Sequence, residues 1–182
     1  MDWSKVIGQQ EAQQRLLQLV DEGRLPHALM LCGPQGSGKL PLAVAFACHL
    51  LDNGTPQAKA MLAKLEHPDL HFTYPTIKLS SMGAEHKPVS DDFAKEWHAL
   101  ATKTLYFTME EWMASMGADN QQAIITAGES DELVRKLSLK SSQGGYKVSV
   151  VWLPERMNIE CANKLLKLIE EPPMQTVFIM VC

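Results

Sequence analysis

Gly33-Pro34-Gln35-Gly36-Ser37-Gly38-Lys39 is the stretch that decides the fold. It follows a short apolar run, His27-Ala28-Leu29-Met30-Leu31-Cys32, and opens onto residues 39–51, which are rich in Ala, Leu and Val. Strand, glycine-rich turn and helix in that order form the context in which G-x-x-x-x-G-K reads as a phosphate-binding loop. The glycines let successive backbone N–H groups turn inward as an anion nest. The helix N-terminus adds its positive end, and Lys39 adds a full charge. The alternative at residue level is a glycine-rich turn with no ligand.

Two positions depart from a working nucleotide-hydrolysing site. The residue after Lys39 should carry a hydroxyl for magnesium, and here it is Leu40. A later strand should end in acidic residues that hold the metal and orient water. The matching strand starts at Lys147 and ends in Trp152-Leu153, followed by Pro154-Glu155. Trp152 and Leu153 supply no carboxylate, and Glu155 lies further on, in the turn. Losing two parts of one metal site removes the electrostatic basis for moving a phosphoryl group. The loop is therefore expected to take phosphate, sulfate, ATP or ADP without magnesium.

Outward from the loop, apolar spacing predicts alternating helices and strands. A helix covers 8–23, with Ala12, Leu16, Leu17 and Val20 on one face and Gly23 as a stop. A short helix is expected over 57–65 and a strand over 69–74, and 75–88 has no clear period. Two helices follow at 93–105 and 108–116, the second capped by Thr108 with Glu111 three residues on. A helix over 130–137 starts on Ser130, a strand runs 147–153, Asn158 caps a helix over 159–170, and Pro172-Pro173 end it. The last strand is 176–182. This alternation implies an α/β fold with a parallel sheet flanked by helices, whose ligand edge lies at the strand ends. The final strand closes the sequence, and we read the chain as a fragment of a longer protein, truncated before its last strand.

The bulk properties exclude several classes. The chain has 182 residues with 46% hydrophobic and 21% charged, an ordinary globular composition that suggests one domain. A net charge of −4 argues against a free-standing DNA-binding domain. No apolar run approaches a membrane span and the first ten residues have no signal pattern, so a cytoplasmic location is expected. Cys32, Cys48, Cys161 and Cys182 form no C-x-x-C pair and read as buried reduced thiols. The scattered histidines lack ligand spacing. Glu110-Glu111 reads as a solvated first turn, and Trp3, Trp97, Trp112 and Trp152 read as packing residues.

Several segments resemble the AAA+ subunits of bacterial clamp loaders. Val6-Ile7-Gly8-Gln9 is similar to the adenine-side segment of AAA+ proteins, which makes Val6 and Ile7 adenine-side candidates. Leu25-Pro26-His27-Ala28, His67-Pro68-Asp69 and residues 130–148 resemble clamp-loader stretches around the same strands, and those of the delta-prime type in particular. Arg156-Met157-Asn158, Ala162-Asn163-Lys164-Leu165-Leu166-Lys167 and Glu170-Glu171-Pro172-Pro173 resemble the segment after the Walker B strand. The insert over 93–120, with Tyr106-Phe107-Thr108, is similar to members from the Bacteroides group.

The resemblance implies an AAA+ domain over 1–182 that works in the DNA polymerase III clamp loader beside delta and gamma/tau subunits, the sliding clamp and primed DNA. It implies no membrane. The broken motifs point within this family to a non-hydrolysing subunit, with an active gamma/tau-like motor as the alternative and a P-loop small-molecule kinase as a third class. The kinase would need an Arg-rich lid, which the sequence lacks. The family's zinc module would fall at residues 52–66, which hold no cysteine, so no zinc is expected. Its arginine-presenting motif, lid and collar would lie past Cys182. Lys164 and Lys167 are the candidate DNA contacts, set against a solvated helix face.

Overall fold

The computed structural model describes residues 3–118, 121–142 and 144–182. Asp119 and Asn120, at the end of the expected insert, lie outside the described residues, as do Gln143 and the first two residues.

The strands β1 (Ala28–Leu31), β2 (Leu70–Thr73), β3 (Lys147–Trp152) and β4 (Thr176–Val181) form one sheet in the order β1-β4-β3-β2. All three pairings are parallel, with Leu31 opposite Val181, Val150 opposite Ile179 and Phe72 opposite Val150. The strand at Thr176 thus lies between those at Ala28 and Lys147. β3 is buried at every position, the signature of a parallel strand covered on both faces.

Side-chain alternation sorts the two faces. Val148, Val150, Trp152, Val177, Ile179 and Val181 join the main core. Phe178 packs with Leu133, Leu137 and Leu165, and Val151 with Ile125 and Cys161. The first face is covered by α2 (Lys39–Leu51), the second by α6 (Ala127–Ser138) and α7 (Ile159–Glu170). α1 (Gln10–Asp21) contributes Leu16 to the first core, and α3 (Pro56–Ala63) contributes Leu62.

Local chemistry explains most boundaries. Asn158 Oδ1 accepts from Cys161 N at 2.8 Å and starts α7. Thr108 and Glu111 form the reciprocal capping box of α5 (Met109–Ser115), at 3.2 and 2.7 Å. The buried Lys147 reaches the last turn of α6 and donates to the carbonyls of Leu137 and Leu139, tying the first residue of β3 to a helix end.

Ser130 does not cap its helix. α6 starts at Ala127, and Ser130 lies inside it with Oγ donating to Ala127 O at 2.7 Å. Thr126 holds the cap position, and its hydroxyl donates to Pro88 O at 2.9 Å. Gly128, a poor helix former, masks this early start in the sequence. The cysteines are corrected in part. Cys48 and Cys161 are buried, but Cys32 is exposed and Cys182 half-buried.

The insert brings α4 (Ala94–Lys103) and α5 onto the sheet through an aromatic cluster. Trp97 stacks on Tyr74 at 4.1 Å and meets Trp112 and Phe107 edge-on, both at 5.4 Å. Trp152 closes the cluster at 5.1 Å from Phe107, and Trp3 packs separately against Phe46 at 6.3 Å. All four tryptophans are packing residues. Residues 75–88 carry one pairing of note, an antiparallel bridge between Thr76 and Ile124. Among the described residues no helix is long and apolar enough to cross a membrane.

Two predictions follow from the packing. Trp112 is fully buried and donates from Nε1 to Pro75 O at 2.8 Å. Trp112→Ala should cost about 3–5 kcal/mol, read from urea unfolding. His71, on β2, is held neutral by burial first and the charge of Lys136 next, which bring it from 6.5 down to about 4. Its contribution is therefore complete above the unfolded value and is lost as pH falls through the folded one. Unfolding free energy should decline between these two values, by at most ~1.4 kcal/mol per pH unit from this residue. Replacing His71 with Gln should flatten that part of a pH series of urea midpoints.

Candidate functional site

The glycine loop leaves the C-terminal end of β1, which is the ligand edge of a parallel sheet. Gly36 and Gly38 have φ of 78° and 83°, a region closed to most side chains. They turn the chain so that α2 begins at Lys39 with its N-terminus facing the loop. Gln9, itself left-handed at φ 61°, donates from Nε2 to Ser37 O at 2.8 Å and pins the loop to the start of α1. Lys39 curls back, with Nζ donating to Gly33 O at 2.7 Å and Pro34 O at 2.6 Å.

A cavity of about 700 Å³ opens over this loop. Gly33, Gln35, Gly36, Ser37, Gly38, Lys39 and Leu40 line one side, and Trp152, Leu153 and Glu155 line another. The residues expected from the two halves of the site therefore meet in one place. Pro34 is not among the lining residues, and its carbonyl accepts from Lys39 Nζ. Leu153 has a left-handed backbone at φ 57°, the bend by which the chain leaves β3 for Pro154.

The residues at the metal positions are apolar and packed. Leu40 is 5% and Trp152 7% exposed, both within the main core. No side chain at Leu40, Trp152 or Leu153 offers an oxygen to a cation, and among the described residues Glu155 is the one acidic residue of the cavity wall. The loop fits an anion through its glycine turns, its helix end and Lys39. It does not fit magnesium at the usual positions.

Tyr106 is the site residue that the sequence reading missed. Its hydroxyl accepts from Ile7 N at 2.6 Å, and its ring lies 3.3 Å from the point where a Cβ on Gly38 would stand. It lines both the loop cavity and a smaller cleft of about 340 Å³ that includes Ile7. Tyr106-Phe107-Thr108 was legible as a mark of the insert. That the insert folds back on the loop was not, because the contact with Ile7 spans 99 residues. Of the adenine-side pair, Val6 is buried in the core and Ile7 is 76% exposed with its N–H taken by Tyr106.

Other candidates lie elsewhere. Lys164 and Lys167 are on α7, across the sheet from α2. Lys164 pairs with Asp131 at 2.8 Å and Glu160 at 3.6 Å, and the Asp131 hydrogen bond raises its pKa. Lys167 is exposed. Residues 52–66 form a turn and α3. The histidines share no site: His67 accepts from Asp69 N, His86 pairs with Asp92, and His98 reaches Lys64 O.

A parallel sheet of this order, with a glycine loop between β1 and α2, is the AAA+ arrangement of P-loop proteins. The chain belongs to the DNA polymerase III delta-subunit family: the model described as "DNA polymerase III, delta subunit" matches residues 8–182. The DNA polymerase III subunit delta' of Yersinia pestis is 47% identical over 53 residues, which cover 28% of this chain and 15% of that protein. A DNA polymerase III gamma subunit-related protein from Thermotoga maritima shares the fold with a TM-score of 0.52 at 15% identity. That match covers 93% of this chain and 38% of the other.

Gly38 supplies a test of the loop geometry. Gly36→Ala meets nothing within 4 Å and should carry only the positive-φ cost, about 1 kcal/mol. Gly38→Ala should cost more, because the new methyl also meets the Tyr106 ring. Adding Tyr106→Ala should recover the difference in a double-mutant cycle of unfolding free energies.

Proposed function

We propose that this chain is a non-hydrolysing, stator-like subunit of the DNA polymerase III clamp-loader complex, acting in the cytoplasm. Family membership supports the complex. The observation that carries the finer reading is the cavity wall, which has the glycine loop, Lys39 and Leu40 on one side and Trp152 and Leu153 on the other, so that apolar residues stand at the positions where the metal groups are expected. Burial of Leu40 and Trp152 ties these residues to the core, so they cannot swing aside to admit a hydrated cation. Phosphate, or ATP or ADP without magnesium, is the ligand this wall favours, held by Gly36, Gly38 and Lys39.

Partners follow from the complex: delta and gamma/tau subunits, and through them the sliding clamp and primed DNA. The ion pairs of Lys164 favour a role bracing α7 on α6 and leave Lys167 as the candidate DNA contact. A ring member without turnover can still control turnover next door. Arginines supplied in trans are worth about a thousand-fold or more in phosphoryl transfer, and the full-length protein would present one to the motor subunit's nucleotide.

The test is hydrolysis of magnesium ATP by the full-length protein, alone and with purified motor subunits, clamp and primed DNA. Alone it should show no turnover, and Leu40→Thr should not create any, since no acidic pair accompanies it. Added to the motor it should stimulate hydrolysis. Turnover by the isolated protein that disappears with Glu155→Gln would establish the motor reading instead. Without magnesium, binding of a fluorescent ADP should be lost in Lys39→Ala and strengthened in Tyr106→Ala.

A further inference from the structure

Two thiols meet at the edge of the loop cavity. Cys32 is the residue after β1 and the one before Gly33. Cys182 is the residue after β4. β1 and β4 are paired neighbours with Leu31 opposite Val181, so the cysteines occupy the next register step. Cys182 N donates to Leu31 O at 3.2 Å, which holds the two backbones together right at the thiols. The sulfurs lie 2.8 Å apart. Adjacent strands run about 4.8 Å apart, inside the Cα separation of roughly 4.4–6.8 Å that a disulfide spans. Cys32 is exposed, Cys182 is half-buried and lines the cavity, and neither is joined to another cysteine.

The other two cysteines behave differently. Cys48 and Cys161 are buried in separate cores, and burial pushes both thiols up, Cys161 to about 11. What sets them apart is access, since the Cys182 thiol is raised too, first by its hydrogen bond with Cys32, but Cys182 is only half-buried.

We propose that Cys32 and Cys182 are a redox-active pair that a hydroperoxide converts to a reversible intramolecular disulfide. The sulfur of Cys32, the more exposed, attacks the peroxide oxygen. The O–O bond breaks, the peroxide leaves as an alcohol or as water, and Cys32 becomes a sulfenic acid. The sulfur of Cys182 then displaces the sulfenic oxygen, which departs as water with the thiol proton. Two S–H bonds are lost, one S–S bond forms, and the peroxide is reduced by two electrons. An exposed bridge of this kind is readily reduced again by a dithiol. Bridging fixes the end of β1, from which the glycine loop departs, to the end of β4.

The experiment exposes the full-length chain to a small excess of hydrogen peroxide, alkylates it in denaturant with N-ethylmaleimide, and maps the peptides after trypsin. The expected result is a peptide spanning 25–39 joined to the one that begins at Leu168. Cys48 and Cys161 should be alkylated as in the untreated chain, and dithiothreitol should reverse the link. Cys32→Ser and Cys182→Ser should each abolish it, and the Cys182→Ser chain should instead accumulate sulfinic acid on Cys32. Circular dichroism checks that both variants fold; if one does not, the peptide map of the unsubstituted chain decides. Over-oxidised Cys32 beside alkylatable Cys182 in that map, or a link formed only between two chains, would overturn the proposal.

Discussion

The burial of α2 is the constraint on which the rest of the molecule depends. From Leu40 to Cys48 every residue of this helix is buried, between the sheet and the elements packed around it. Such a helix tolerates no unpaired polar side chain, since an unsatisfied buried hydroxyl costs about 1–3 kcal/mol. Its N-terminus is where the glycine loop ends, so the packing that fixes the helix also fixes the loop. Leucine at position 40 serves this packing. On the same face of the sheet, Trp152 at the end of β3 joins this core and closes the aromatic cluster.

Much of this was legible in the sequence, for a physical reason. α2 begins at Lys39 and ends at Leu51 as its composition indicates, and Asn158 and Thr108 act as caps because capping is a local affair of three residues. The parallel order followed from alternation of strand and helix. Ser130 was misread because the rule that a serine opens a helix ignores what precedes it. The start at Ala127 depends on Thr126 finding Pro88, a contact that no local pattern encodes.

The site was legible in the same uneven way. The glycine loop, Leu40 and the pair Trp152-Leu153 are short patterns, and the structure brings them to one cavity. Tyr106 was invisible as a site residue because its partners, Ile7 and Gly38, belong to distant parts of the chain. The thiol pair is a still stronger case, since Cys32 and Cys182 are 150 positions apart and only the sheet register makes them neighbours. Lys164 is a related case. It was a candidate DNA contact by family resemblance, set against a solvated helix face, and no local pattern announced its ion pair with Asp131 of the adjacent helix.

The aromatic cluster has a consequence of an optical kind. Trp97 lies 5.4 Å from Trp112 and 5.6 Å from Trp152, close enough for excitation absorbed by any of the three to be shared among them. One of the three, Trp152, forms part of the wall over the glycine loop. Excitation gathered by the cluster can thus reach that wall, so a change in the wall should show in the protein's ultraviolet emission.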